Sequence, residues 1–343
     1  MEATDPANRE PEEPASAPAA PVNGSPAKGS PAEEPSAQQP VDAEPAEKEQ
    51  AEKQPAEKQR AEHEPAAEHE SAKKSRAGRN LGAAIGVGLG LGAIVLISLF
   101  TVRQIFIGVV AAAVAVATIE LAGAMRRGEQ IQISLLPLLI GGQAMVWLSW
   151  LWQTSGVLTG YVLTVLACVI WRFRGGSVGF LRDATASLFV ATYVPLFASF
   201  AALLVEPHDG AQRVLTFLIV VVCSDTGGYA TGVWLGKHPM APSISPKKSW
   251  EGFAGSVIVS LTGATLSVWL LLHAHWWLGL PLGAALVGTA TAGDLAESLI
   301  KRDLGIKDMG TLLPGHGGLM DRLDSLLPSA VVSWLLMSLL IPA

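Results

Sequence analysis

Residues 81–101 read LGAAIGVGLGLGAIVLISLFT. This run carries neither charge nor proline, and a helix needs roughly 20 such residues to cross a bilayer. Eight further apolar runs follow, near 105–125, 132–152, 156–171, 185–205, 213–235, 252–273, 279–299 and 326–342. Backbone polar groups in lipid must be satisfied within the spanning structure itself. Long stretches of Ala, Leu, Val and Gly without strand alternation therefore point to helices rather than a barrel. The expected fold is an all-α polytopic membrane protein of about nine transmembrane helices. Half of the 343 residues are hydrophobic and the mean hydropathy is +0.37, which excludes a soluble globular enzyme.

Upstream of residue 81 the composition changes. Residues 1–80 hold 17 of the 30 acids, 10 of the 24 bases and 12 of the 22 prolines. Residues 46–70 read AEKEQ, AEKQP, AEKQR, AEHEP and AAEHE, a degenerate five-residue repeat that matches no helical period. Such a segment buries too little apolar area to offset its ordering entropy, so 1–80 is expected to be a disordered cytoplasmic tail, and 81–343 a transmembrane catalytic domain. The tail has no apolar core of signal-peptide length, which leaves the run at 81–101 as the entry signal. Cys168 and Cys223 both lie in apolar runs, so neither a disulfide framework nor a Cys-rich metal site is expected.

Bases sort to alternate loops. Lys73, Lys74, Arg76 and Arg79 precede the first run, and Arg126 and Arg127 follow the second. Arg172, Arg174 and Arg182 follow the fourth, Lys237, Lys247 and Lys248 the sixth, and Lys301, Arg302, Lys307 and Arg322 the eighth. The other loops hold Arg103 and Arg213 against Glu206 and Asp209. The positive-inside rule then predicts a cytoplasmic N-terminus and an external C-terminus in the cell membrane. Gly82/Gly86 and Gly88/Gly92 are small-xxx-small pairs that predict close helix contact in the first run.

Polar residues collect in three stretches on the basic side: 224–237, SDTGGYATGVWLGK; 242–252, PSISPKKSWEG; and 293–325, GDLAESLIKRDLGIKDMGTLLPGHGGLMDRLDS. In the third, Asp321 and Asp324 share a helix face, and Asp294 and Glu297 repeat that spacing one run earlier. Converging carboxylates near a membrane surface suit a hard divalent cation such as Mg2+. Taken alone, a pair of acids three apart is as well explained by a solvated helix face, and Asp321–Arg322 or Lys307–Asp308 by local ion pairs. The combination is more informative: Lys301, Arg302, Lys307, His316 and Arg322 stand among the acids, with Gly315, Gly317 and Gly318 able to present N–H groups to phosphate. Metal-binding acids beside clustered bases predict a polyanionic substrate, most simply a phosphate ester. Ser245, Lys247 and Lys248 form a plausible phosphate grip in the second stretch. Asp225 is either a ligand or the structural partner of a lysine. Gly236–Lys237 is not a phosphate-binding Walker loop, since Thr231 and His238 occupy positions that need Gly and Ser or Thr.

Ser298-Leu-Ile-Lys301-Arg302, then Lys307-Asp308, Pro314-Gly-His316-Gly-Gly318 and Asp321-Arg322-Leu-Asp324 together resemble the signature of the phosphatidate cytidylyltransferase (CDP-diacylglycerol synthase) family. The SDTGGY and ISPKKSWEG stretches resemble the same family in the same order, and the likeness covers roughly 81–343. Departures at Gly228, Ala230, Val233, Trp234 and Ser249 touch packing more than charge. The resemblance implies transfer of a cytidylyl group from CTP to phosphatidate with Mg2+ and room for a second cation. It implies Asp294, Asp321 and Asp324 as metal ligands, and Asp321, Lys301, Arg302 and His316 as the catalytic set. Ser245, Lys247, Lys248, Lys307, Arg322 and Asp225 are implied as substrate contacts, with His316 binding phosphate or protonating the departing pyrophosphate. Expected partners are CTP, phosphatidate and the bilayer, with no nucleic acid and a homodimer among the open assemblies, and an active site at the cytoplasmic face. Competing expectations are a polyprenol kinase or another lipid-phosphate cytidylyltransferase, and a transporter, whose site would sit nearer mid-membrane.

Overall fold

Helices that are apolar all round gain nothing from one another by excluding water, so in lipid they associate through close packing and short polar bridges. The structure, a computed structural model, describes residues 86–312 and 317–341. The tail expected at 1–80, Gly82 and His316 lie outside the described residues. The helices are α1 (Gly86–Thr101), α2 (Arg103–Glu129), α3 (Leu135–Arg172), α4 (Phe180–Ala191), α5 (Phe197–Leu204), α6 (Gly210–Leu235), α7 (Trp250–Leu271), α8 (Gly279–Asp303), α9 (Met320–Leu323) and α10 (Leu326–Leu340). A two-stranded hairpin, β1 (Pro239–Ala241) and β2 (Ser245–Ser249), stands between α6 and α7. Pro195, which lacks an N–H, lies in the π-helical turn Thr192–Leu196 that joins α4 to α5. Among the described residues seven helical segments are long and apolar enough to cross a membrane, and α1 is a shorter apolar helix. The chain is a helical multi-pass membrane protein.

α3 runs for 38 residues but is not one rod. Trp152 (φ −129°, ψ 16°) and Gln153 (φ 52°, ψ −137°) leave helical geometry. On either side of that point the chain meets itself in mirror order: Gly160 lies against Met145, Gly141 against Thr164, and Ser134 Oγ donates to Cys168 O at 3.2 Å. α3 is thus a pair of antiparallel arms, which correspond to the separate runs read at 132–152 and 156–171.

The most extensive interhelical contact among the described residues joins α6 and α7. A Cβ on Gly227 would stand 2.8 Å from Val259 Cβ, and one on Gly252 3.0 Å from Gly228 O. Ser256 Oγ donates to Ser224 O at 2.7 Å and Ser260 Oγ to Val220 O at 3.1 Å across the same seam. Small residues thus let the backbones approach, and hydroxyls bridge them. α1 behaves otherwise: Gly86, Gly88 and Gly92 have no neighbouring atom within 4 Å of a Cβ position. The close contact expected there is absent among the described residues.

Successive loops gather at opposite ends of the bundle. At one, Arg103 donates to Glu206 O (2.9 Å) and His208 O (3.0 Å), and Arg213 pairs with Asp209 (2.7 Å) and donates to Ile341 O (2.8 Å). At the other, Arg172 pairs with the buried Asp183 (2.8 Å), and Arg127 donates to Met309 O (2.9 Å). That second end holds the polar stretches.

Candidate active site

The site is assembled from the C-terminal ends of α6 and α8, the hairpin, and the N-terminal ends of α7 and α9. Strand pairing sets Pro239 opposite Ser249 and Ala241 opposite Ser245. Ser249 then turns the chain into α7 by capping it, its hydroxyl accepting Gly252 N–H at 3.1 Å. Glu251, in the first turn of α7, accepts the N–H groups of Lys237 (3.1 Å) and His238 (3.2 Å) and fixes the base of the hairpin. So anchored, the hairpin turns Lys248 towards α8, where it pairs with Asp294 at 2.5 Å.

On α8, Asp294, Glu297 and Lys301 follow at intervals of three and four and share a face. Opposite them stand Asp321 on α9 and Asp324 beside it. The two elements meet closely because Gly293 has no side chain: a Cβ there would collide with Asp324 O. Asp321 is held from three directions. Oδ2 accepts Gly318 N–H at 2.8 Å and Met309 N–H at 3.1 Å, and Oδ1 pairs with Lys301 Nζ at 3.1 Å. Gly317, at φ +80°, occupies the left-handed region, and a Cβ there would come within 2.9 Å of Asp321 Oδ2. Lys301 also pairs with Glu297 at 3.2 Å. Glu297 is fully buried, and among the described residues neither of its oxygens has a partner in hydrogen-bond geometry.

A cavity of about 600 Å³ opens onto these groups. Asp225, Lys247, Lys248, Asp294, Lys301, Asp321, Arg322 and Asp324 all line it. A second cavity of about 500 Å³ adjoins, lined by Ser245, Arg302 and Lys307, with Lys247 and Lys301 bordering both. Among the described residues no carboxylate lines the second cavity. The sequence-predicted residues are therefore brought together in two neighbouring compartments, one of mixed charge and one basic, apart from His316, which lies outside the described residues.

The mixed compartment carries excess negative charge. The Asp324 carboxyl stands beside Asp294 and Glu297, and Ser325 stands beside Asp225. Adjacent carboxyl groups repel unless a proton or a cation stands between them. Among the described residues no three His, Cys, Asp or Glu stand in a ready metal-holding arrangement. The donor chemistry nevertheless suits a hard cation, since it consists of carboxylate oxygens with unmet charge.

Three acidic residues join the site beyond those singled out from the sequence. Glu297 was noticed only as a spacing, and its burial beneath Lys301 depends on the packing of α8 against α10. Asp308, read as half of a local ion pair, lines the mixed cavity. Glu120 comes from α2 and accepts Met320 N–H at 2.8 Å, 200 residues along the chain. Its signal was present, for it is the single acid within the run 105–125, and an ionisable residue inside a span is a functional candidate by default.

The model of the cytidylyltransferase family matches residues 83–340. A phosphatidate cytidylyltransferase from Mycobacterium leprae is 50% identical over 291 residues, covering 80% of this chain and 93% of the relative. One from Mycobacterium tuberculosis is 48% identical over 288 residues, covering 80% and 88%. A more distant one from Staphylococcus epidermidis is 38% identical over 144 residues, covering 42% and 55%.

Proposed function

The chain belongs to the cytidylyltransferase family, and from that premise we propose that it transfers a cytidylyl group from CTP to phosphatidate, giving CDP-diacylglycerol and pyrophosphate. The observation that carries this reading is the pair of adjoining cavities, mixed and basic, that share Lys247 and Lys301 as their common wall. A phosphatidate oxygen attacks the α-phosphorus of CTP. One P–O bond forms, the bond to the bridging oxygen of the β-phosphate breaks, and pyrophosphate leaves with the electron pair. The nucleophile is already anionic, so the demand is not for a strong base but for bringing two polyanions together in line. Lys247 and Lys301 stand where the transferred phosphorus lies between attacking and leaving groups. Ser245, Arg302 and Lys307 receive the departing phosphates in the basic cavity. Lys248 and Arg322 face the lipid phosphate in the mixed one, and His316 is assigned to the pyrophosphate on resemblance.

Asp294, Asp324 and Asp225 would be the residues to hold Mg2+ in the mixed cavity, since their hard oxygens suit it and it would offset their repulsion. Bound there, it would supply neutralisation of phosphate charge. Asp321 has a different part in this reading: its oxygens serve Lys301, Met309 and Gly318, so it orders the loop and orients the lysine. We place the cavities at the cytoplasmic face of the cell membrane, with nine crossings once the two arms of α3 are counted separately and α1 is included. The alternation of basic loops between the ends supports that orientation.

The test is purified protein in lipid-containing micelles with labelled CTP, Mg2+ and phosphatidate, with a polyprenol and other lipid phosphates as rival acceptors. Labelled CDP-diacylglycerol with equimolar pyrophosphate is expected. Product only with a rival acceptor would move the substrate assignment and leave the family unchanged.

A further inference from the structure

Glu120 stands apart from every motif discussed so far. It lies on α2, within a segment otherwise apolar, where a carboxylate is costly unless it serves a purpose. Its Oε2 accepts Met320 N–H at 2.8 Å, and its Oε1 is buried without a hydrogen-bond partner among the described residues. Two glycines make the approach possible. A Cβ on Gly318 would lie 2.8 Å from Glu120 Cδ, and one on Gly310 would lie 2.5 Å from the same carbon. The two ends of the loop between Gly310 and Gly318 therefore pinch together against this one side chain. Two turns further along α2, Arg127 donates to Met309 O at 2.9 Å and holds the same loop from the same helix. On the far side of the pinch, Asp321 accepts Met309 N–H and Gly318 N–H. The base of the loop is thus clasped between two carboxylates, one from a remote helix and one from the site.

We propose that Glu120 is a positioning residue for cytidylyl transfer: by holding the base of the 310–318 loop, it fixes Asp321 and through it Lys301. It touches no substrate. This rests on the reaction proposed above, and its test is arranged to separate the two. What the loop needs from Glu120 is an acceptor of the right length aimed at Met320 N–H, not negative charge. Glu120→Gln keeps that acceptor. Glu120→Leu removes it while filling a similar volume. Met320 N–H then loses its acceptor, which costs stability, and relief of the buried carboxylate's desolvation offsets that cost. Activity should therefore fall much further than stability.

The experiment compares wild type, Glu120→Gln and Glu120→Leu, each purified in detergent, for kcat, for KM of CTP and phosphatidate, and for thermal midpoint. A displacement of about 1 Å at reacting groups costs roughly 100-fold. Glu120→Leu is expected to lose about that factor in kcat with KM for phosphatidate and midpoint unchanged, and Glu120→Gln to stay within about tenfold of wild type. Gly310→Ala, which leaves Glu120 in place but pushes the loop from it, should reproduce the Leu defect, and it serves if Glu120→Leu does not fold. Wild-type kcat in folded Glu120→Leu or in Gly310→Ala overturns the proposal, as does a Gln variant no better than Leu. A wild-type protein that turns over no phosphatidate would instead overturn the reaction reading.

Discussion

Asp321→Asn separates two parts that one carboxylate can play. The substitution conserves shape and removes one oxygen and the charge. Asn keeps its remaining oxygen where Oδ2 now accepts Gly318 N–H (2.8 Å) and Met309 N–H (3.1 Å). Its amide then falls where Oδ1 now meets Lys301 Nζ at 3.1 Å, so a donor faces a donor. The Asp321 side chain is 6% exposed and that of Lys301 21%, so water replaces little of what is lost. A hydrogen bond to a charged group contributes about 1.5–3 kcal/mol. At about 1.4 kcal/mol per tenfold in rate, a loss expressed wholly in the transition state lowers kcat/KM by about 10- to 150-fold. The assay is formation of labelled CDP-diacylglycerol by purified protein across a Mg2+ titration. If Asp321 orders the loop and orients Lys301, activity falls by that factor and the Mg2+ concentration at half-maximal rate does not move. Activity within threefold of wild type would refute the lysine argument. Recovery of full rate at high Mg2+ would refute the loop argument and return Asp321 to the metal.

Asp294→Asn and Asp324→Asn should behave in the opposite way, raising the Mg2+ needed for half-maximal rate by about tenfold or more, the loss expected when a carboxylate donor to the cation is removed. The same titration reads this, and an unshifted midpoint in both would remove the cation from the mixed cavity. Gly255→Leu should cost about 1–3 kcal/mol of stability, because even a Cβ there meets Thr231 across the α6–α7 seam. A thermal midpoint in detergent equal to wild type would show that the seam does not hold the bundle. For topology, single cysteines at exposed positions Ser243 and Gln153, in a background with Cys168 and Cys223 replaced by Ala, are challenged with a membrane-impermeant maleimide. Ser243→Cys should label only from the cytoplasmic side and Gln153→Cys only from outside. Absence of label at Gln153→Cys in intact cells would count against two crossings within α3.

The apolar runs were legible in the sequence because lipid leaves a crossing segment few choices, and each choice is local. Even the reversal within α3 was visible, as a break between two runs at 153–155 beside the non-helical Trp152 and Gln153. Packing was less legible. The glycines of α1 satisfy the small-xxx-small pattern as well as those of α6 and α7 do, yet only the latter meet a partner, since the pattern says that a helix can be approached and not what approaches it. The site divides along the same line. Asp294, Lys301, Asp321 and Asp324 could be grouped as candidates because helical spacing puts related groups on one face within a short stretch of chain. The cost of burying Glu297 beneath Lys301 and the clasp between Glu120 and Met320 were not, because each arises where distant segments close on one another. A carboxylate such as Glu120 is therefore best sought as an exception to its surroundings: within lipid a single unexplained acid implies a partner somewhere in the chain. Here that partner is the backbone of the loop that carries Asp321 into the site.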